Sequence, residues 1–531
     1  MNSKLSKLVS IVLVVLLIFS AGGCTNTKKG SDADNTNTAT TETNDEKVIT
    51  IDWNGLQYGS VKDDAPIKKI MEEKFNVKFN MIYVDTSKYE ELMNLRFANN
   101  EIPDVFTAKN INMLTNWANQ DLLAEIPEAT IKKYAPNIGK EIDSYKAIDA
   151  NVWKIGQVSG KSYGILAHNA DFVYPSPVIW RNDWLANLEI KKLPETLEEF
   201  ETALYKIAKE DPDKNEKNDT YGLSANGFFA IYGTSGYWPT FWNKVGTEVV
   251  WGGIQPEIKE VLKLFNKWYK DGVIDPEFVT GENQGGYWAI SHGFVNGRLG
   301  MTTRGSYYHW NYPYYEGDLG GDNYQDFTNI QPKTASYDFG RPAISSNGKT
   351  GMGIGGVLAY FTVFGEQLNE DNEKLARILK ILDTLASDYD LYLTAKYGVE
   401  GKHWEYTKEN EPMAKEDVVD ALGGQDAIGA GNAFLPWQSM DLYRKTRPFH
   451  FTFADKVVSY EKYGNAIPVG LPSTSKYQTD LDKLQDQTFM KIITGDQSID
   501  TFDTFVEQWK KLGGDQLTKE ANEWYKSVSG N

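Results

Sequence analysis

Residues Tyr174–Ile207 read YPSPVIWRNDWLANLEIKKLPETLEEFETALYKI. The two prolines before Val178 exclude a helical start, so the apolar run Val178–Trp180 is predicted to be a strand. A polar group containing Arg181 and Asp183 follows, and Thr196 then precedes a helix whose apolar residues share one face. A strand that ends in charged residues and a tryptophan is typical of a crossover between two domains at the edge of a cleft. An ordinary βα unit with a surface Arg181–Asp183 ion pair explains the same pattern.

Length and composition limit the class of protein. At 531 residues, the chain is long enough for two or three domains. It carries 73 Asp and Glu against 55 Lys and Arg, and this acidity excludes binding to nucleic acid through its phosphates. The chain also has 30 Tyr and 15 Trp, many of them in stretches rich in Gly, Asn and Pro. Because such stretches lack the periodicity of buried elements, we expect several of these rings to form contact surfaces.

Residues 1–23 have the features of a secretory signal peptide. Lys4 and Lys7 precede an apolar run, Leu8 to Phe19, that is too short to span a membrane, and small residues follow. Cys24 is the only cysteine, so an internal disulfide and a thiolate zinc site are both excluded. Its position resembles a bacterial lipoprotein box, although Ala21 stands where leucine is commonest, and this implies a lipidated (palmitoylated) Cys24. The alternative is a soluble secreted protein with an incidental cysteine.

Residues 24–46 follow the proposed lipid anchor. They are almost all polar and lack apolar periodicity, which predicts a disordered tether. A domain tethered in this way is expected at the extracellular face of the cell membrane.

The chain after the tether begins with a strand, a helix and a strand. Val48–Trp53 and Val77–Tyr83 alternate as strands and Pro66 begins the helix between them, which predicts a βαβ unit and a parallel sheet. Ligands of α/β proteins bind where the loops after such strands converge. The residues expected at that edge are Trp53, Asn54, Thr107, Lys109 and Asn110.

Several stretches resemble one known family. They are PDVFTAKNINMLTNWANQDLLAEI (Pro103–Ile126), WYKDGVIDPEF (Trp268–Phe278), FVNGRLGMTTRGSYYHWN (Phe294–Asn311), and the segment from Tyr174 to Leu204. In their order along the chain, they are similar to segments of maltose-binding proteins and other family 1 extracellular solute-binding proteins. The stretches Tyr397–Tyr406 and Phe489–Trp509 resemble the lipoprotein branch of Gram-positive bacteria.

The resemblance implies a fold and a domain organisation. The fold is α/β, of the two-lobed periplasmic-binding-protein (type II, Venus-flytrap) kind, and each lobe has a mixed, mostly parallel sheet flanked by helices. The first lobe is expected to contain residues 47–177 with about 340–395. The second is expected to contain residues 178–339 with about 396–531.

Sugar-binding chemistry selects further residues. A pyranose presents apolar faces to aromatic rings and hydroxyl edges to polar side chains. Loops of this chain supply both kinds, in Trp180, Trp238, Trp242, Trp288, Tyr307 and Trp310 beside Asn110, Arg181, Asp183 and Arg304. By resemblance, Thr107 to Asn110 and Tyr174 match positions that form hydrogen bonds to the sugar, Tyr307 matches a stacking aromatic, and Trp180 and Arg181 match positions beside the hinge.

The loop DPDKNEKNDTYG, Asp211 to Gly222, has the spacing of a calcium site. Its oxygen ligands would come from Asp211, Asp213, Asn215, Asp219 and the Lys217 carbonyl, at positions 1, 3, 5, 9 and 7 of an EF-hand-like loop. Glu216 replaces the usual turn glycine, and no Glu stands at position 12. A structural Ca²⁺ is one interpretation, and a similar calcium-stabilised loop exists in some solute-binding proteins for acidic oligosaccharides. A solvated turn is the other interpretation. No catalytic cofactor is expected.

Taken together, these features predict a lipid-anchored, monomeric oligosaccharide-binding component of an ABC importer in a Gram-positive bacterium. Its partners would be the sugar and the membrane permease, with hinge closure around the ligand. The rival class is a secreted carbohydrate-active enzyme, but no carboxylate pair is set apart by a motif, and neither H-E-x-x-H nor G-x-S-x-G occurs. A receptor for a non-sugar solute on the same scaffold is a third possibility.

Overall fold

The computed structural model describes residues 47–168, 170–280, 291–314, 318–356 and 358–529. The predicted signal peptide, tether and lipidated Cys24 lie outside these ranges, as does Trp288. The strands of the described residues are β1 Ile49–Trp53, β2 Val77–Met81, β3 Val105–Ala108, β4 Gln157–Val158, β5 Lys161–Ser162, β6 Gly164–Ala167, β7 Val178–Arg181, β8 Trp242–Val245, β9 Glu248–Trp251, β10 Met301–Thr302, β11 Tyr337–Gly340, β12 Met352–Gly353, β13 Tyr360–Phe364, β14 Trp404–Tyr406, β15 Pro412–Ala414 and β16 Lys462–Tyr463.

The helices alternate with these strands along most of the chain. They are α1 Pro66–Phe75, α2 Tyr89–Ala98, α3 Ile111–Asn119, α4 Glu128–Tyr134, α5 Pro136–Ser144, α6 Asn182–Asn187, α7 Leu197–Lys209, α8 Phe229–Tyr232, α9 Pro256–Lys270, α10 His292–Val295, α11 Asp322–Ile330, α12 Asn372–Ser387, α13 Tyr389–Tyr397, α14 Glu416–Ala421, α15 Gln425–Ile428, α16 Met440–Thr446, α17 Pro448–Val457, α18 Thr474–Thr494, α19 Thr501–Trp509 and α20 Asp515–Ser529. Within the described ranges, no helix is long and apolar enough to cross a membrane.

The first sheet has the strand order β2-β1-β3-β13-β6. β1 pairs in parallel with β2 and β3, whereas β13 pairs antiparallel with β3 and β6. The alternation of β1 places Ile51 and Trp53 in the core while Thr50 faces solvent. The predicted βαβ unit is therefore confirmed, with α1 beginning at Pro66.

The second sheet is built around β7, which lies between β10 and β11. Both neighbours run antiparallel to β7, and single parallel bridges join Tyr221 to Leu299 and Leu223 to Ile274. The resemblance implied a mixed, mostly parallel sheet. The sheet is mixed, but the pairs between its named strands are antiparallel. The difference arises because β10 and β11 both enter the sheet against β7, through connections whose direction the residue pattern does not determine.

The chain leaves the first sheet and enters the second between β6 and β7. At the end of β7, the guanidinium of Arg181 donates to both carboxylate oxygens of Asp183, at 2.9 and 2.7 Å, and Arg181 is only 2% exposed. The pair is thus internal, whereas an ordinary βα unit would leave it on the surface. The helix predicted after Thr196 is α7, which begins with a capping box between Thr196 and Glu199.

Two large apolar cores fill the protein. The first draws its buried side chains from residues 51–167 and 361–437, and the second mainly from 178–278 and 467–521. The first core continues to Trp437, although the first lobe is expected to end at about residue 395. The lobe boundaries stay a prediction, because the residues from Val48 onward form one compact unit.

A buried carboxylate fixes α5 against α12 in the first core. Asp383 accepts hydrogen bonds from the backbone N–H groups of Asn137 and Ile138, at 2.7 and 3.0 Å, and from the Asn137 side chain at 2.8 Å. These are N–H groups at the start of α5 that have no partner inside the helix. The carboxylate therefore connects chain segments that are 245 positions apart.

We expect Asp383→Ala to lower the free energy of unfolding by about 1–3 kcal/mol, because it leaves those donors unsatisfied. Urea unfolding followed by circular dichroism measures the change. Lys380→Ala, an exposed change on the same helix, is the control and should alter stability by less than about 0.5 kcal/mol. Equal effects of the two variants would contradict the structural role of Asp383.

Candidate functional site

A cavity of about 410 Å³, called here the Lys396 cavity, opens beside the ends of β3 and β6. Most of its wall comes from elements around the first core, and Tyr308 comes from the segment that follows β10. It is lined by Leu56, Tyr58, Thr107, Lys109, His168, Asp171, Tyr308, Ala359, Tyr360, Lys396, Asn432, Leu435, Gln438, Met440, Tyr443 and Arg447.

Two other cavities are larger. One of about 690 Å³ is lined by residues around β11 and the end of α17, and one of about 610 Å³ borders the predicted calcium loop. The Lys396 cavity is the better candidate site despite its size, because Thr107 and Lys109 line it together with four tyrosines and several cations. Convergent polar groups among aromatic faces distinguish a binding site more reliably than volume.

Thr107 and Lys109 occupy the end of β3. Thr107 is fully buried, and its hydroxyl oxygen has no hydrogen-bond partner within the described part of the chain. The Lys109 amine donates to the Thr86 carbonyl at 3.0 Å and lies 4.5 Å from the centre of the Tyr89 ring. Burial lowers the pKa of Lys109, although the charge of Asp85 opposes this shift. The end of this parallel strand thus presents a hydroxyl and an ammonium group to one cavity.

Asp171 joins three separate parts of the chain. Its carboxylate accepts from the Tyr307 hydroxyl at 2.5 Å and from the Tyr443 hydroxyl at 3.2 Å. Burial raises the pKa of Asp171, and the two hydroxyl donors act in the opposite direction. Tyr174 packs edge-to-face on Tyr307 with 5.4 Å between ring centres. These bonds hold the segment containing Tyr307 and Tyr308 against the wall of the cavity.

Lys396 and Arg447 place two positive charges in the same cavity. The Lys396 amine donates to the Asn432 side-chain oxygen at 2.8 Å, and the Arg447 guanidinium lies 5.3 Å from the centre of the Tyr443 ring. Burial, together with the positive charge of Arg447, lowers the pKa of Lys396 to about 7. Among the residues that the structure describes, no carboxylate oxygen lies within 4.0 Å of the charged nitrogens of Lys109, Lys396 or Arg447.

Four tyrosines give the cavity its aromatic surface. Tyr58 is 58% exposed, and Tyr308, Tyr360 and Tyr443 are half-buried. Each ring combines an apolar face with a polar hydroxyl, so the cavity can pack against apolar faces of a ligand while its polar groups bind the edges. Because Tyr308 stands on the segment after β10 and the others do not, two parts of the molecule line this cavity.

Comparison with known proteins identifies the family. Residues 66–352 match the family described as bacterial extracellular solute-binding protein. The chain belongs to this family. It is 25% identical over 541 residues to the polygalacturonan/rhamnogalacturonan-binding protein YtcQ of Bacillus subtilis (strain 168), with 97% of this chain and 99% of the relative covered. It is 23% identical over 497 residues to lipoprotein LipO of the same strain, with 89% and 91% covered.

Solved structures agree on the fold of this solute-binding protein. The crystal structure of alginate-binding protein AlgQ2 without calcium ion matches with a TM-score of 0.63 and 17% identity, over 91% of this chain and 98% of that chain. The two-lobed α/β fold that the resemblance implied is confirmed. YtcQ and AlgQ2 are both named as binding proteins.

The predicted ligand-binding residues occupy several different environments. Thr107 and Lys109 line the Lys396 cavity, and Tyr174 and Tyr307 lie next to it. The Arg304 carbonyl accepts from the Trp310 indole at 2.7 Å. Asn110 caps the start of α3 by accepting from the Met113 N–H at 2.9 Å. Their contact with a ligand stays a prediction.

Other predicted residues have partners inside the solute-binding protein. The Trp53 indole donates to the Ala433 carbonyl at 2.9 Å, and Asn54 accepts from the Tyr89 hydroxyl at 2.8 Å. Buried side chains with packing roles are Trp53, Asn54, Trp180, Arg181, Trp238 and Trp310, and Asp183 pairs with Arg181. Trp242 is also buried and borders a separate cavity of about 360 Å³ together with Trp251.

The predicted calcium loop combines EF-hand-like features with internal hydrogen bonds. Glu216, at the position of the usual glycine, adopts the left-handed conformation, with φ of 63°. The Asn215 side-chain amide donates to Asp213 at 2.8 Å and to Asp219 at 3.2 Å. Asp213 also keeps one buried oxygen without a hydrogen-bond partner. Across the described ranges, no three His, Cys, Asp or Glu side chains form a group that could hold a metal ion. The oxygen-rich donors suit a hard cation, but the Asn215 amide stands between two of them.

Sequence reasoning missed most of the residues that line the Lys396 cavity. His168, Asp171, Lys396, Tyr443 and Arg447 lie in three regions of the chain that carry no motif. One signal was available for the position of Arg447, because Pro448 marks the first residue of a helix and Arg447 directly precedes it. Nothing in the sequence pairs that loop with α13.

We expect the Lys396 amine to titrate near pH 7, because burial and the nearby Arg447 charge both disfavour its protonated form. Reductive ¹³C-methylation with NMR detection across a pH series measures this. Arg447→Gln removes the neighbouring charge and should raise the Lys396 pKa. A midpoint at the ordinary lysine value of about 10.4 in the unaltered protein would contradict the described burial.

Proposed function

We propose that this solute-binding protein captures an oligosaccharide outside the cell and presents it to the membrane permease of an ABC importer. The observation that carries the proposal is the Lys396 cavity, in which four tyrosine rings surround hydrogen-bonding and charged groups. Pyranose rings need this combination of apolar faces and polar edges. Two similar proteins, the polygalacturonan/rhamnogalacturonan-binding protein YtcQ and the alginate-binding protein AlgQ2, are named for carbohydrate ligands, which supports the proposal.

Closure around the ligand is part of the proposed mechanism. The wall of the cavity comes mostly from elements around the first core, while Tyr308 belongs to the segment after β10. A sugar that contacts both parts favours the closed arrangement by the free energy of the contacts formed only there. Thr107, Lys109 and Tyr174 are proposed to bind the sugar directly, and Tyr307 to position Tyr308. The permease would recognise the closed, monomeric form.

The N-terminus is proposed to attach the protein to the membrane. Residues 1–23 would be removed as a signal peptide, acyl chains would be added to Cys24, and residues 24–46 would act as the tether. The similarity to lipoprotein LipO supports this arrangement, and two acyl chains give stable attachment where one does not. The protein would then work at the extracellular face of a Gram-positive cell membrane.

Two alternative functions predict different results when the purified protein is incubated with sugars. A carbohydrate-active enzyme would turn the sugar over, whereas a transport receptor binds it in a fixed stoichiometry and releases it unchanged. A receptor for another solute would bind none of the sugars. We propose a receptor without catalytic activity, because the named relatives are binding proteins.

Isothermal titration calorimetry against a panel of plant and bacterial oligosaccharides, followed by chromatography of the sugar, tests the proposal. We expect saturable binding with one site and an unaltered sugar. Tyr308→Ala should weaken binding by about 1–2 kcal/mol, or roughly five- to thirtyfold in Kd, through loss of the ring contact. Tyr406→Ala, which removes a partly exposed ring on β14 away from this cavity, is the matched control and should leave Kd unchanged. Sugar turnover, or no binding to any sugar in the panel, would contradict the proposed function.

We also propose that the loop from Asp211 to Asp219 binds a structural calcium ion. The ligands would be Asp211, Asp213, Asn215, the Lys217 carbonyl and Asp219, with the Asn215 side chain rotating so that its oxygen faces the cation. The unpartnered buried oxygen of Asp213 and the left-handed Glu216 support this. The ion would stabilise the loop and take no part in chemistry.

Calcium should therefore stabilise the folded protein, by about 2.7 kcal/mol of unfolding free energy at roughly a hundredfold excess over Kd. This stabilisation should appear as a higher melting temperature. Differential scanning fluorimetry with calcium, magnesium or EDTA measures the shift. Asp213→Asn should abolish the effect of calcium. Glu216→Gln, which removes a charge from the same loop but no predicted ligand, should retain it. A melting temperature that is indifferent to calcium and EDTA would exclude the site.

A further inference from the structure

The charge of the Lys396 cavity is opposite to that of the whole protein. The chain has a formal net charge of −18, yet the cavity is lined by Lys109, Lys396 and Arg447 and by one carboxylate, Asp171. That carboxylate accepts hydrogen bonds from Tyr307 and Tyr443, and its attraction to Arg447 offsets only part of the positive charge. A ligand that enters the cavity therefore meets an excess of positive charge.

These three cations differ from others in the protein. Lys68, Lys132 and Arg298 each have a carboxylate within 4.0 Å. In the described part of the chain, Lys109, Lys396 and Arg447 have none. Two of them, Lys396 and Arg447, are near enough for the charge of one to affect the other. Holding like charges together in a partly buried wall costs free energy, and an anion from outside offsets that cost.

We propose that the cavity binds an anionic sugar, and that Lys396 and Arg447 bind its carboxylate group. This inference rests on the proposed function and narrows it to oligosaccharides that contain a uronic acid. A guanidinium forms two parallel hydrogen bonds to a planar carboxylate, and an adjacent ammonium adds a third charged contact. The tyrosine faces beside them suit the apolar face of the same sugar ring.

The protonation of Lys396 supports the assignment and gives it a second readout. In the free protein, burial and the Arg447 charge lower the pKa of Lys396 to about 7. A bound carboxylate favours the charged amine and so raises that pKa, which means that binding takes up a proton between the two pKa values. Kd should accordingly be constant below the free pKa and rise above it, by up to roughly tenfold per pH unit.

Other groups facing the cavity also titrate. They are Asp171, His168, Lys109 and the four tyrosines. Burial raises the pKa of Tyr360 and Tyr443, so these two tyrosines stay neutral over this range. Substitution of Lys396 separates its contribution from that of His168 and Asp171.

The test compares three ligands of the same length by calorimetry: trigalacturonate, its fully methyl-esterified form, and neutral galactotriose. We expect trigalacturonate to bind and the ester and the neutral sugar to bind roughly tenfold or more weakly, since each lacks the charge. Lys396→Met and Arg447→Gln should each weaken trigalacturonate binding by a similar factor, and Lys396→Met should also flatten the rise of Kd above pH 7. Lys380→Met, an exposed lysine on α12, is the matched control.

Each outcome decides between the two proposals. If galactotriose or the ester binds as tightly as trigalacturonate, the anionic subsite is wrong while the oligosaccharide receptor stands. If trigalacturonate binding survives both substitutions, the assignment to Lys396 and Arg447 is wrong. If a sulfated galactose oligosaccharide binds and trigalacturonate does not, the proposal that the cavity recognises a carboxylate group is wrong. If no sugar binds the folded protein, the proposed function itself fails. Melting temperatures of the variants, expected to be unchanged or higher because a buried charge is removed, exclude misfolding as the cause.

Discussion

The bonds to the Asp171 carboxylate determine the form of the candidate site. The hydroxyls that donate to it belong to Tyr307 and Tyr443, which are 136 and 272 positions away along the chain. A buried carboxylate needs such donors, because an unsatisfied charge away from water is costly. The same bonds bring three segments to one place, and the cavity is the space that they enclose.

Several neighbouring contacts depend on this arrangement. Tyr307 is buried against Tyr174 and Phe451, and its neighbour Tyr308 turns toward the cavity. The Tyr174 hydroxyl in turn donates to Asp455 at 2.7 Å. The aromatic cluster thus supports Tyr308 and fixes its position in the wall of the cavity.

The sequence predicts the local secondary structure of this molecule well, but it predicts contacts between residues that are distant along the chain poorly. The strand at Val178, the helix after Thr196 and the βαβ unit all follow from prolines, caps and apolar spacing, which act within a few residues. Thr107 and Lys109 could be placed because they end a parallel strand, and such ends converge by topology. Lys396 and Arg447 meet in the cavity across 51 positions, and neither position carries a local signal of its partner.

Aromatic residues show the same limit. A tryptophan at the end of a strand has similar neighbours in the sequence whether its ring faces a cleft or a core, so Trp180 and Trp310 could be proposed as ligand contacts although both rings are fully buried. The rings that line the cavity are instead tyrosines, and none of these four was selected from the sequence. The hydroxyl allows a ring to stand at a wet boundary, where the apolar face and the polar end are both satisfied.

Charge and closure are connected in this design. The cations of the cavity lie in a wall built mainly around the first core, whereas Tyr308 approaches from the segment after β10. In the absence of an anion, water screens the repulsion between Lys396 and Arg447, and closing the cavity would remove that screening. An anionic ligand reverses the balance, because its attraction to both cations grows stronger as water is excluded. In the proposed mechanism, the same pair of charges opposes closure of the empty protein and favours closure around an anionic ligand, and this difference in free energy lets the ligand shift the equilibrium toward the closed form.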